Sequence, residues 1–179
     1  MLHRRVPDVI APHLCILFCG INPGRYSAAA GHHFAGPSNR FWPTLHAAGF
    51  TPTLLRPADE SALLHLGLGI TNLAPRATSA AGHLSTDELR RGSRQLIRKV
   101  RAFQPRILAV LGLGAYRLAF EERRALGGLQ ERTIGATRIW LLPNPSGLNA
   151  HHSSPEFVRL FRALHRYAAL LTAVRRGER

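Results

Sequence analysis

Lysine is almost missing from this chain: Lys99 is the only one among 24 basic residues, and every other cation is an arginine. Acids are scarce as well, with ten Asp and Glu in 179 residues. The two cysteines, Cys15 and Cys19, exclude a disulfide framework and cannot by themselves make a structural metal site. Lying in one short apolar segment, they read as small core residues. No apolar run approaches the roughly 20 residues that span a bilayer. The opening Met1 to Asp8 lacks the apolar core and cleavage site of a signal peptide, so a cytoplasmic protein is expected. There is no internal repeat, low-complexity tract or linker, and residues 1–179 suit a single domain with one core.

What is present in excess is positive charge. The balance of 24 basic against 10 acidic residues gives a formal net charge of +14. With 45% hydrophobic residues the chain has the composition of a folded protein, so this charge is not the mark of disorder. A skew of that size implies a polyanionic partner, because neutralised phosphates release counterions. Membrane surface and RNA compete formally with DNA. No strongly amphipathic basic helix with a bulky apolar face stands out, which favours nucleic acid over a membrane.

Leu14 to Cys19 is a continuous apolar run ended by Gly20, the pattern of a strand buried on both faces. A Gly/Pro/Ser-rich loop is expected to Ser38, then a helix from Arg40 to Ala48 with Pro43 in its first turn. A second helix is expected over Ala58 to Leu66 and a strand over Leu68 to Asn72. Ser85-Thr86-Asp87-Glu88 has capping-box spacing and predicts a basic helix running to about Phe103. A third strand is expected over Arg106 to Leu111, then a helix ending near Arg123. Thr133 to Leu142 reads as a short hairpin feeding a fourth strand. The last helix is expected from Pro155 to Ala173. Alternating strands and helices predict an α/β fold, a three-layer α/β/α sandwich around a short, mainly parallel sheet. Ligands in such sheets bind beyond the carboxyl ends of the strands, so the loops after Cys19, Asn72, Leu111 and Leu142 compete for function.

Two of these loops carry a specific pattern. The first is Gly20-Ile21-Asn22-Pro23-Gly24, continuing through Gly31-His32-His33-Phe34 to Trp42. The second is Asn144-Pro145-Ser146-Gly147-Leu148-Asn149. Paired at this separation, with Gly69 to Leu73 and Glu88 to Gly92 between them, they resemble the mismatch-specific uracil/thymine branch of the uracil-DNA glycosylase superfamily. The resemblance runs from about Leu14 to Tyr167.

It implies a monofunctional DNA glycosylase that hydrolyses the N-glycosidic bond of uracil mispaired with guanine, and of other modified pyrimidines, in base excision repair. The partner would be double-stranded DNA with a damaged or mismatched pyrimidine, met by a monomer associated with the nucleoid. A stacked base is inaccessible, so the nucleotide must be extruded into a pocket. By resemblance, Ile21, Gly24, Phe34 and Asn72 form that pocket. Phe34 stacks on the base, although it also reads as a core phenylalanine. Asn72 reads the pyrimidine edge with one donor and one acceptor, or caps a turn. Asn144, Ser146, Gly147, Leu148 and Asn149 form the insertion loop, with Leu148 as the wedge. The arginine the branch often places two residues after this leucine is Ala150 here, so reading of the opposite base passes to Asn149, His151 or main-chain groups. Asn22 matches the residue that places the attacking water. An amide cannot take its proton, which suits a reaction in which the glycosidic bond breaks before water adds. Gly24 stands where uracil-specific relatives have tyrosine, which predicts tolerance of C5-substituted bases.

Asp87 is the acid best placed to assist, free at the second helical position while Ser85 and Glu88 do the capping. It reads either as a second catalytic group or as a complement to the helix dipole. No cofactor or metal is expected: His32-His33 and His151-His152 lack ligand spacing. Two cysteines cannot supply an iron–sulfur cluster. Lys99, in a basic helix away from both motifs, makes a Schiff-base step unexpected. Gly112-Leu113-Gly114 is an incomplete dinucleotide fingerprint and is set aside.

Overall fold

A computed structural model describes residues 5–177. Its strands are β1 (Ile16–Gly20), β2 (Leu68–Asn72), β3 (Ile107–Leu111), β4 (Gly128–Ile134) and β5 (Thr137–Leu142). They form one sheet in the order β2-β1-β3-β5-β4. Every pairing is parallel except that of β4 with β5 at one edge.

The inner strands are apolar throughout because both faces are covered. Ile16 and Phe18 of β1, with Ile107, Ala109 and Leu111 of β3, point to one side. Leu17 and Cys19, with Leu108 and Val110, point to the other. The helices are α1 (Arg25–Ala30), α2 (Phe41–Ala47), α3 (Thr86–Phe103), α4 (Leu113–Ala119) and α5 (Ser154–Arg176). Phe41 and Leu45 of α2, Leu63 of a 3-10 helix at Pro57–Leu66, and Phe157, Phe161 and Leu164 of α5 pack on the first face. Leu89, Leu96 and Val100 of α3, with Tyr116 and Ala119 of α4, pack on the second. This is the expected α/β/α sandwich. No helix among the described residues is long and apolar enough to cross a membrane.

Several boundaries differ from the sequence expectation, each for a local reason. The first loop is not irregular to Ser38, because α1 forms inside it and ends on Gly31 at φ +76°. The segment at 58–66 is a 3-10 helix opened by Pro57. Helix α4 stops at Ala119 instead of running to Arg123, since Glu121 takes a left-handed φ of +60°. The Arg117 guanidinium then holds the carbonyl of Ala125 at 2.7 Å as the chain turns back. The hairpin arm begins at Gly128, earlier than Thr133, with an irregularity between Leu129 and Thr133 that interrupts its pattern. Helix α5 starts on a second capping box, Ser153 with Glu156, that the sequence reading passed over.

Strand β1 lies between β2 and β3, so successive crossovers leave it in opposite directions. A switch of this kind opens a crevice at the carboxyl ends of the strands. The site occupies that crevice.

Candidate active site

All four strand-exit loops line one cavity of about 860 Å³. Its walls include Ile21, Asn22, Gly24, Phe34 and Asn72, together with Asn144, Ser146, Gly147, Leu148 and Asn149. The loops expected to compete therefore cooperate. Even Gly112 to Ala115, set aside as a failed dinucleotide motif, forms part of the wall.

Pairing of β1 with β2 continues past the strand ends and sets the floor of the cavity. The N–H groups of Leu73 and Ala74 donate to the carbonyls of Gly20 and Ile21, each at 2.8 Å, and Thr78 N–H donates to Pro23. This brings residues 76–78 beside Asn22. The Asn22 amide nitrogen donates to the Arg76 carbonyl at 2.8 Å and to Thr78 Oγ1 at 2.7 Å. Thr78 donates its own hydroxyl hydrogen to the Ala80 carbonyl. A carbonyl only accepts, so the amide orientation is determined, and Asn22 Oδ1 is left without a protein partner among the described residues.

Arg76 is itself clamped. Its guanidinium grips both Glu88 oxygens, at 2.6 and 3.0 Å, and donates to the His83 carbonyl at 2.9 Å. Glu88 Oε2 also accepts the Ser85 N–H. The Arg76 hydrogen bonds drive the Glu88 carboxyl down to about 2, with the Ser85 N–H adding to the shift. The capping box seen in the sequence thus has a second task, holding the segment that aligns Asn22.

Phe34 lies between the core and the cavity. It stacks on Phe41 with centroids 4.2 Å apart, and Phe41 in turn meets Phe18 of β1 edge-on at 5.4 Å. One side of Phe34 belongs to the core and another to the cavity wall. Its backbone is left-handed, φ +53°, a conformation that a bulky residue adopts only at a cost of about 1–3 kcal/mol. The loop is held there by Ser27, which accepts the Ala35 N–H, and by buried Glu60, which takes the His33 N–H at 2.8 Å and pairs with His32 at 3.0 Å. Glu60 was not singled out in the sequence. Nothing in its helical surroundings marks a carboxylate destined for a loop 27 positions earlier.

The insertion loop is built around Arg40. Its two terminal nitrogens donate to the carbonyls of His152 and Asn149, at 2.6 and 2.7 Å, while its backbone N–H donates to the Pro145 carbonyl. The guanidinium also lies 4.2 Å above the Phe157 ring. Asn144 Oδ1 accepts the Ser146 N–H, and the Asn149 side chain bonds to the Asn144 carbonyl and the His151 N–H. Asn149 is thus engaged inside its own turn, while the neighbouring His151 is exposed. A Cβ on Gly147 would come within 2.3 Å of Ser38 Oγ, so the loop closes on Ser38 only with glycine there. Leu148 is 73% exposed at the rim of the cavity.

Two expectations shift. Asp87 is exposed on the first turn of α3 and is not among the residues lining the cavity. Asp87→Ala should therefore leave single-turnover excision within about threefold of the parent, the range of an ordinary surface change. A tenfold loss in a quench assay would return Asp87 to the site. Lys99 lies closer than its helix suggested: it pairs with Asp8 and donates to Thr71 Oγ1 at 2.8 Å, one residue before Asn72. It does not line the cavity.

Comparison with known proteins agrees with this geometry. The family model described as the uracil DNA glycosylase superfamily matches residues 7–165. Among solved structures, the chain is similar to a solution NMR structure of a proposed uracil DNA glycosylase from Methanosarcina acetivorans. The TM-score is 0.61 at 21% identity, with 92% of this chain and 99% of that one covered, a likeness of fold.

Proposed function

The chain belongs to the uracil DNA glycosylase superfamily, and on that footing we propose that it is a monofunctional glycosylase removing uracil, chiefly opposite guanine, from double-stranded DNA. The observation that carries this reading is the convergence of Asn22, Phe34 and Asn72 on one cavity with an exposed Leu148 at its rim.

Each group has a part that its surroundings permit. Leu148 fills the stack vacated by the extruded nucleotide, and Arg40 holds its loop ready beforehand. Phe34 stacks on the base, kept flat by Phe41 behind it. Asn72 pairs with the pyrimidine edge. As the glycosidic bond breaks, charge develops on the sugar and on the departing base. Asn22 Oδ1 then accepts a hydrogen bond from the incoming water and aligns it on the sugar C1′. The water oxygen bonds to that carbon in place of the base nitrogen, and its proton passes to the departing uracil anion or to solvent, not to the amide. Only a weakened or mismatched pair yields its base readily to such a site, which accounts for a preference for U·G. The net charge of +14 supplies the salt-dependent attraction to the duplex.

The test is a labelled duplex with one U·G pair, incubated with the protein and then treated with alkali. Strand scission at the uracil is expected. Binding without scission would sink the reading in favour of a non-catalytic DNA-binding module.

Substrate breadth follows from Gly24. Its φ of −69° suits any residue, and a Cβ there meets nothing within 4 Å. Gly24→Tyr can thus place its ring in the cavity without backbone strain. Uracil excision should persist while excision of C5-substituted pyrimidines falls about tenfold or more. An unchanged substrate range in a competition assay would count against Gly24 as the missing wall.

A further inference from the structure

Asn72 can read a base only if its amide has one orientation, and the element that sets it is a histidine outside the base-reading loop. The His33 ring is buried, 2% exposed, with Nε2 at 2.9 Å from the Pro7 carbonyl. A carbonyl accepts and never donates, so Nε2 must carry the hydrogen. Burial lowers the proton affinity of the ring and favours its neutral form; the Pro7 hydrogen bond, Glu60 and Asp8 act in the opposite sense, and Lys99 with the burial. A neutral imidazole has one N–H, so Nδ1 is a bare acceptor. Nδ1 stands 3.2 Å from Asn72 Nδ2. Only the NH₂ end of the amide can occupy that place.

The consequences reach the cavity. Asn72 Oδ1 lies against the strand exit, where a Cβ on Gly20 would approach it to 2.7 Å. Among the described residues, His33 is the sole partner of the Asn72 side chain, so Oδ1 and the second N–H are free for a ligand. The histidine is also clamped along its backbone: Glu60 takes its N–H, and its carbonyl accepts Trp42 Nε1 at 3.1 Å. A histidine fixed at its ring by Pro7 and at its backbone by Glu60 and Trp42 transmits the polarity of a carbonyl on one segment to an amide on another.

We propose that His33 is the positioning residue that selects uracil over cytosine, by relaying the Pro7 carbonyl to Asn72 so that the amide shows a base one acceptor and one donor in fixed order. Uracil answers with N3–H and a carbonyl oxygen. Cytosine sets a bare N3 against Oδ1 and an amino group against N–H, so both contacts become repulsive. Sites with fixed polar groups discriminate far more steeply than apolar pockets can. The inference rests on the uracil-excising reading above.

Two measurements test it. Long-range proton–nitrogen NMR of the full chain at neutral pH should show His33 as the Nε2–H tautomer with Nδ1 unprotonated; the Nδ1–H tautomer would overturn the proposal. His33→Gln keeps a donor for Pro7 but removes the acceptor facing Asn72. Its ratio of uracil to cytosine excision, in single-turnover assays on U·G and C·G duplexes, should fall about tenfold or more, with melting temperature and abasic-duplex binding unchanged. His33→Asn, which can set an oxygen near the Nδ1 position but has no ring nitrogen to anchor on Pro7, should leave the ratio low as well; full recovery would show the Pro7 relay to be dispensable and overturn the proposal. If Gln and Asn variants share the parent's ratio, His33 selects nothing and the glycosylase reading stands. If the parent excises no uracil, that reading falls and takes this one with it.

Discussion

Asn22→Ala should lower single-turnover excision of uracil by about 10²- to 10³-fold, the usual cost of deleting one preorganised polar group at a reacting centre. Duplex binding should survive, because the charge and the insertion loop are untouched. The effect is expected to be large because Asn22 Oδ1 has no protein partner among the described residues, and the groups nearest to it in the chain or in its hydrogen bonds are engaged or remote. Thr78 Oγ1 is already bonded to Asn22 and Ala80, and Asp87 lies outside the wall. Asn22→Asp is the informative companion. A carboxylate is a better base, so in isolation it should speed the reaction. Here one of its oxygens would face the Arg76 carbonyl at the 2.8 Å now spanned by an N–H. Two acceptors at that distance repel, so the aspartate must rotate away or hold a proton. The Asp variant is therefore expected to stay below the parent at neutral pH, until the 76–78 segment is altered with it. A gain in rate at neutral pH for the single variant would refute this account of how Asn22 is held.

Gly92→Ala should be the most damaging of the small changes to stability. In mid-helix alanine is worth about 1 kcal/mol more than glycine, so propensity alone predicts a gain. Packing reverses the sign. The new Cβ would stand 2.2 Å from the Leu73 carbonyl oxygen and 3.0 Å from its carbon, and these are backbone atoms that cannot swing aside. Overpacking costs about 1–3 kcal/mol or more, and here the obstacle is rigid, so a net loss of about 2 kcal/mol is expected. For a chain of this length that lowers the melting temperature by about 4–8 °C. The change also reaches the site, since Leu73 follows Asn72 and its N–H is fixed to Gly20. Excision should fall with stability, and a melting temperature at or above the parent's would remove the argument.

Much of this could be read from local chemistry in the chain. Strands β1 and β3 announced themselves because a strand covered on both faces needs apolar residues without interruption, and Leu14 to Cys19 and Ile107 to Leu111 have them. The start of α3 was legible because Ser85 and Glu88 satisfy each other within four residues. The Gly-Ile-Asn-Pro-Gly and Asn-Pro-Ser-Gly-Leu motifs carried the family because glycine and proline specify backbone shape locally. Where local signals are weak, boundaries moved: α1 is a single short helix among glycines, and α4 ends on a glutamate in a left-handed turn that no propensity favours.

The chain alone therefore established the sandwich, the two motifs and a polyanionic partner, all properties of neighbouring residues or of summed composition. It could not show which acids matter, because that depends on partners far away in the chain. Asp87 looked free and lies outside the cavity. Glu60 drew no notice and Glu88 read only as a helix cap, yet they hold the loops on which Phe34 and Asn22 depend. Only the fold brings Pro7 to His33 and His33 to Asn72. Hydrogen bonds act over about 3 Å whatever the sequence separation, so the orientations of the Asn22 and Asn72 amides were settled by the tertiary structure.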